Sequence, residues 1–314
     1  MPLLLQFLLC SLLCMVASLN AAEPVSVRLP GWIASVAFSP DGKLVGAACS
    51  DGTARLLDAS TGMERLALKG HDDYVVAVAF SPDGRVLATG SFDRTARLWD
   101  LRAPGAPVVL KGHRGAVTSV AFNSGGDLLA TGSIDGTVKL WSARTGKLRS
   151  TLRGHKSWVN SATFGPDGAT LVSGSSDGTI KLWDTRTGRL KTTLEATEAE
   201  VRSVAISADG QSVAAGIRYG TIKLWTNQRE VLNFKGHESD VWSVLFIRDG
   251  TRLVSGDGDW NKPGQLKMWD VRTGNILEKL EHSGEVLSIA SSSDGRKIAA
   301  GGWDRTLKIW PLQP

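Results

Sequence analysis

Paired cysteines, tyrosine, basic runs and helical periodicity are all scarce or missing in this chain of 314 residues. Its three cysteines cannot build a disulfide scaffold. Cys10 and Cys14 lie in the first apolar run, and with that run set aside Cys49 has no intrachain partner. No stretch of 12 residues repeats its apolar positions at helical spacing, which argues against a helical fold. No run of three basic residues occurs, so a net charge of +5 and a pI near 9.2 do not by themselves indicate a nucleic-acid partner. His-rich clusters, Cys pairs and calcium-loop patterns are absent, and neither a metal nor a cofactor is expected. Hydrophobic residues make up 42% and charged residues 21%, which excludes long disordered tracts and a multi-span membrane protein. Two counts stand out against these shortages. There are 35 glycines and 11 tryptophans beside only 2 tyrosines, so tryptophan recurs at a fixed structural address.

The first 22 residues contain no charged side chain. An apolar run from Leu3 to Val16 is followed by the small residues Ala17, Ser18, Ala21 and Ala22, then by Glu23-Pro24. This is the order of a secretory signal, although no Lys or Arg precedes the apolar core. Residues 1–22 are therefore expected to be a signal peptide, with an uncleaved membrane anchor as the alternative, and the mature chain to be periplasmic or extracellular. The sequence has no Asn-x-Ser/Thr acceptor and no cysteine pair, which fits a bacterial exported protein better than a eukaryotic secretory route. No membrane span is expected in the mature chain.

The rest is one motif repeated. Trp99, Trp141, Trp183 and Trp225 are spaced by 42 residues, Trp269 follows after 44 and Trp310 after 41, and Leu57 sits 42 before Trp99. Seven such registers account for residues 23–314, and although length alone suggests about two domains, no second domain remains. Within each unit the apolar period is two. Val75–Phe80, Val86–Ser91, the run ending at Trp99 and Pro107–Leu110 are separated by turns such as Ser81-Pro82-Asp83-Gly84, giving a four-stranded antiparallel meander. Gly after Asp supplies the positive φ of a tight hairpin at Asp41-Gly42, Asp83-Gly84, Asp167-Gly168, Asp209-Gly210, Asp249-Gly250 and Asp294-Gly295.

Gly-His pairs at Gly70-His71, Gly112-His113, Gly154-His155 and Gly236-His237, with closing Trp-Asp pairs at Trp99-Asp100, Trp183-Asp184 and Trp269-Asp270, complete the pattern. The chain resembles the Trp-Asp (WD) repeat β-propeller family over nearly all of residues 23–314. The resemblance implies an all-β fold: a single seven-bladed propeller of four-stranded blades. Val25–Leu29 alternates like a strand and stands where the outer strand of the last blade is missing, so it is expected to close the ring. The resemblance also implies a buried hydrogen-bonded set in each complete blade, in which Asp accepts from His while a Ser hydroxyl relays between His and the Trp N–H. Those sets are His71, Ser91, Asp93 and Trp99; His113, Ser133, Asp135 and Trp141; and His155, Ser175, Asp177 and Trp183. Blade one, with Leu29, Cys49 and Leu57, and blade five, with Thr197, Ile217 and Tyr219, lack the set and are expected to be softest.

All five histidines fall at one register, four residues before an inner strand, so none is left over for catalysis. His71, Ser91 and Asp93 alone would suggest a nucleophilic triad, but the same trio in three consecutive repeats reads as structure, and no enzyme activity is expected. Arg55, Arg97, Lys139, Lys181, Lys223, Lys267 and Lys308 each precede the closing aromatic position by two. Their stems are expected to cover apolar surface while the heads reach water. The remaining function is a scaffold, expected to act as a monomer, that binds a protein or peptide, with a small molecule or glycan at the central channel as the alternative. The expected contact residues lie at two loop addresses on one face: Trp32, Tyr74, Phe92, Trp158, Trp242, Trp260 and Trp303, with Arg202 and Arg218 on blade five.

Overall fold

The computed structural model describes residues 23–103, 105–247, 250–259 and 262–312. The signal-peptide reading of residues 1–22 and the placement of Trp260 lie outside this range. The described residues form seven four-stranded antiparallel sheets arranged as the blades of a propeller. Blade two illustrates the unit, with strands Val75–Phe80, Val86–Ser91, Thr95–Asp100 and Val108–Lys111 from the inside outward. Its first hairpin turns at Gly84, where φ is 69°. There Ser81 Oγ donates to Asp83 Oδ1 at 2.6 Å, and the same carboxylate oxygen accepts the Arg85 N–H at 3.1 Å. No helix of the described residues is long and apolar enough to cross a membrane.

The core is not one mass but seven wedges, each between two neighbouring sheets. Trp141 of blade three packs with Ala77, Ala88 and Leu98 of blade two, and Trp183 of blade four with Leu140 and Leu152 of blade three. Each large indole spans a gap that the strand twist would otherwise leave open. Blade one has Leu57 at this register and fills its wedge with Ile33, Val45 and Cys49 against Leu307 and Ile309 of blade seven.

A second tie links the inner strands round the channel. A serine on one inner strand accepts the backbone N–H of the next. Ser35 accepts from Val78, Ser119 from Ala162, Ser161 from Val204, Ser203 from Val244, Ser243 from Ile289 and Ser288 from Val36, all between 3.0 and 3.3 Å. Blade two has Ala77 at this position, and its junction to blade three lacks the bond. The Ser288–Val36 bond crosses the seam where the ring closes.

The seam is otherwise held by the N-terminal strand. Val25–Arg28 pairs antiparallel with the last strand, Thr306–Pro311, with Val25 opposite Ile309 and Arg28 opposite Thr306. The expected closure is thus the observed one. The periodic basic residues differ from expectation. Lys139 Nζ donates to Thr151 Oγ1 and Lys181 Nζ to Thr193 Oγ1, both at 3.0 Å, while Lys267 and Lys308 donate to the carbonyls of Gly236 and Glu281. Arg55 pairs with Asp51 at 2.8 Å and with Glu64 at 2.6 Å. These heads turn back onto the neighbouring outer strand or connecting loop, because a side chain on the third strand meets acceptors there before it meets solvent.

Removal of residues 24–29 reopens the edge of blade seven and takes away Leu29 with Val25 and Val27, three apolar side chains packed in the seam. At about 1.5–3 kcal/mol for each buried side chain, the truncated protein should melt lower by about 10 °C or more by calorimetry. An unchanged melting temperature would contradict closure by this strand.

Candidate functional site

The loop face is built on the buried polar sets. In blade two, His71 Nδ1 lies 2.7 Å from Asp93 Oδ2 and His71 Nε2 lies 2.7 Å from a hydroxyl, but that hydroxyl belongs to Thr89. The Trp99 indole donates to the same Thr89 Oγ1 at 2.9 Å. Thr131 holds the same place between His113 and Trp141, and Ser173 between His155 and Trp183. The relay assigned from sequence to Ser91, Ser133 and Ser175 is therefore corrected. Ser91 and Ser133 instead donate to the carbonyls of Asp73 and Gly115, and all three serine hydroxyls accept the N–H of the Asp two residues on. Residues two apart on a strand share a face, and the indole reaches diagonally inward from Leu87, its direct partner across the ladder, only as far as Thr89.

The direction of proton donation follows from the chain of groups. Indole N–H can only donate, so the Thr89 proton goes to His71 Nε2, and the imidazole carries its own proton on Nδ1, which it gives to Asp93. Burial holds His71, His113, His155 and His282 below the ordinary imidazole range, consistent with neutral rings. Blade six repeats the relay with Ser255 between His237 and Trp269, while Asp257 stands 3.1 Å from His237 Nδ1 at the strand register of Ser91. Blade seven keeps His282 and Trp310 but has Ala300 where the hydroxyl belongs, and His282 Nε2 is left without a partner.

Each relay fastens the loop entering an inner strand to the turn between the second and third strands. The backbone fastens them too. The N–H of Ser50, Phe92, Ile134, Ser176, Arg218 and Trp303 bonds the carbonyl of Trp32, Tyr74, Ala116, Trp158, Glu200 and Glu285 respectively. The residue before the first apolar residue of an inner strand therefore sits beside the residue at the tip of the turn, and both face the same side of the disc. On blades seven, one and two these pairs hold a continuous row of rings. Trp303 lies 4.6 Å from Trp32, Trp32 lies 5.6 Å edge-on to Tyr74, and Tyr74 lies 5.9 Å from Phe92. Tyr74, Phe92 and Trp303 are each exposed by 38–45%, a large apolar fraction for rings already in contact. Trp158 is more exposed still but stands alone on blade four, with no ring partner among the described residues.

The other sector is charged. Trp242 is half-buried beneath the Arg202 guanidinium, whose carbon lies 4.4 Å above the ring, so it does not extend the open row. Arg202 pairs with Glu200 at 2.7 Å and Asp240 at 3.0 Å, and Arg218 pairs with Glu200 at 3.0 Å. Glu200, Asp240 and Glu285 occupy, on blades five, six and seven, the address that holds Trp32 and Tyr74 on blades one and two. These carboxylates are not among the expected contact residues, which are chiefly aromatic, although the same register marks them. Glu285 is buried, at 5% exposure, and its Oε2 has no hydrogen-bond partner. Burial pushes its carboxyl above the ordinary range, against the pull of the Trp242 indole N–H.

The geometry offers little for catalysis. The hydroxyl between His71 and Trp99 is buried and already engaged in both directions. Burial pushes the Cys49 thiol up to about 12, leaving it protonated and unreactive. No group of three or more metal-ligating side chains occurs among the described residues.

Residues 106–310 match the family described as the IFT122 first beta-propeller, and residues 23–58 and 62–100 match the WD domain, G-beta repeat. The chain belongs to the WD-repeat β-propeller family. It is 38% identical over 88 residues to a guanine nucleotide-binding protein subunit beta of Arabidopsis thaliana, a match covering 26% of this chain and 22% of that protein. It is 36% identical over 85 residues to apoptotic protease-activating factor 1 of Rattus norvegicus, covering 27% and 6%. A guanine nucleotide-binding protein subunit beta of Saccharomyces cerevisiae is 50% identical over 44 residues, covering 14% and 10%. The matches thus span at most 22% of the length of these three relatives. All three are eukaryotic and lend no support to a bacterial type. WD-repeat propellers are in general protein-interaction scaffolds without enzyme activity.

The relay can be tested against the sequence reading. Thr131→Val leaves both the Trp141 N–H and His113 Nε2 buried without a partner and should cost about 2–4 kcal/mol, whereas Ser133→Ala should cost about 1 kcal/mol. Chemical denaturation of both variants decides, and a larger loss for Ser133→Ala would restore the original assignment. The pH dependence has one sign. His71, His113, His155 and His282 bind protons less readily folded than unfolded, so stability is full above about pH 6.5 and is lost as the pH falls from there through their lowered folded values. Asp135 and Asp177, held down to about 2, add a second loss of the same sign below about pH 4. Melting temperatures between pH 8 and pH 3 should be level first and then fall, and a level profile down to pH 5 would contradict neutral buried histidines.

Proposed function

We propose that this propeller is a non-enzymatic scaffold that docks a protein or peptide on its loop face, over the row Trp303–Trp32–Tyr74–Phe92. The observation that carries the reading is the contiguity of four rings from three blades, three of them more than a third exposed. Contacting aromatic side chains held open to water are a costly surface for an isolated molecule, and aromatic anchors dominate the energetics of protein interfaces. The rings are also pre-arranged. Their loops are tied by backbone bonds and, on blade two, by the full relay, so little conformational freedom remains to be lost on binding.

Trp158 supports a separate contact of the same partner. Arg202, Arg218 and Trp242 form a neighbouring polar sector, and Trp260 belongs to the turn between them and Trp303 in sequence. The reading of a small molecule or glycan at the channel draws on no comparable observation. The apolar run Leu3–Val16 followed by small residues supports export of the chain, and N-terminal sequencing of the protein from a secreted or periplasmic fraction tests it.

Trp303→Ala should leave the melting curve close to wild type and weaken a partner recovered by in-cell crosslinking by on the order of 2 kcal/mol, near thirtyfold in Kd. Met63→Ala, an exposed apolar side chain on a turn of the opposite face, should change nothing. Equal affinity of both variants, measured by calorimetry, would show that the docking face is elsewhere.

A further inference from the structure

Two carboxylates of the charged sector have arginine partners, and the third has none. Glu200 is flanked by Arg202, which follows the first apolar residue of its inner strand, and by Arg218, at the tip of its turn. Asp240, one blade on, borrows the same Arg202 at 3.0 Å. At the corresponding positions around Glu285 the chain has Leu287 and Trp303. The third carboxylate thus occupies the address of the other two, but its own blade has no arginine at those positions, and Arg202 and Arg218 across the second cleft are engaged by Glu200 and Asp240.

The seat of Glu285 is shaped rather than accidental. A Cβ on Gly258 would overlap Glu285 Cγ, so the blade-six wall is bare where the side chain lies. Glu285 lines two adjoining clefts of the loop face. One, of about 500 Å³, is bordered by Asp259, Lys262, Asp304 and Trp303, and the other, of about 440 Å³, by Trp242, Asp240 and the already paired Arg202 and Arg218. Asp304 is engaged by the Ser283 hydroxyl, and Asp259 is exposed. The first cleft therefore carries three carboxyl groups against one lysine, on a chain whose net charge is +5. A buried carboxyl with a free oxygen is poorly stabilised until a cation reaches it.

We propose that the cleft at Glu285 is a subsite for one arginine side chain of the docked partner. This rests on the reading of the loop face as the docking surface. Glu285 accepts the two parallel N–H groups of the guanidinium, and the planar cation lies against Trp303, the ring that also begins the aromatic row. Lysine presents a point charge without the fork or the flat face and fits less well. The partner segment therefore combines an arginine with apolar residues, the former seated between blades six and seven and the latter running toward blade two.

The test uses the full chain and N-acetylarginine N-methylamide as probe, with the indole N–H signals of Trp242 and Trp303 followed by NMR. Saturable shifts are expected for the arginine probe, at least fivefold weaker binding for the lysine analogue, and none for the uncharged citrulline analogue. Glu285→Gln should abolish the shifts. Asp259→Asn should weaken them severalfold, and it serves as the reporter if Glu285→Gln unfolds. Equal shifts from citrulline, retention of binding in Glu285→Gln or Asp259→Asn, or shifts with calcium chloride and none with arginine would each overturn the proposal. The docking reading is separated by Tyr74→Ala, which leaves arginine binding intact. A partner that loses affinity with Tyr74→Ala but not with Glu285→Gln overturns the subsite alone. Arginine binding by a chain whose partner ignores Tyr74→Ala overturns the docking face.

Discussion

The structure depends on one buried hydroxyl per complete blade. Thr89, Thr131, Ser173 and Ser255 each take the proton of a tryptophan indole and give their own to a histidine, which in turn holds an aspartate at the turn or strand end beside it. The indole belongs to the wedge between blades and the aspartate to the loop face, so the relay couples the hydrophobic core to the surface that carries function. Every member is a polar group out of water, and its cost is offset only while the whole chain of bonds is intact. Where a member is missing the chain stops. Ala300 leaves His282 without its bond, and blade five has Ala215 and Tyr219 at the places of the hydroxyl and the aspartate.

Much of this was legible in the sequence, because a repeat multiplies every signal sevenfold. The 42-residue spacing of tryptophan and the period-two apolar runs lead directly to the blades, and the orphan strand at Val25 leads to the closure. The relay hydroxyl is less legible, standing at Thr89 and not at the expected Ser91 two residues further along the strand. Ser91 and Thr89 share a face, and the distinction between them is a matter of how far an indole reaches, which spacing does not express. Blade six held the clue. It has Ser255 at the register of Thr89 but Asp257 at that of Ser91, and it nevertheless keeps His237 and Trp269. The periodic basic residues depart from expectation for a similar reason, since the acceptors that capture Lys139 and Lys181 lie on the next strand of the same sheet.

The loop face divides into sectors because one address carries different chemistry on different blades. Rings occupy it on blades one, two and four, and carboxylates on blades five, six and seven. An identical backbone thus presents an apolar row and a charged row side by side, joined at Trp303. A repeat fold permits this since each blade can vary its exposed positions without disturbing the wedge behind it. The shared scaffold fixes where side chains stand, while their identities decide what the face can hold.

The central claim is that partners land on the ring row. Site-specific photocrosslinking addresses it most directly, with benzoylphenylalanine placed at position 74 in one protein and at position 63, on the opposite face, in another. The account predicts a discrete adduct from position 74 in the native compartment and none from position 63. Adducts from position 63 alone would contradict it.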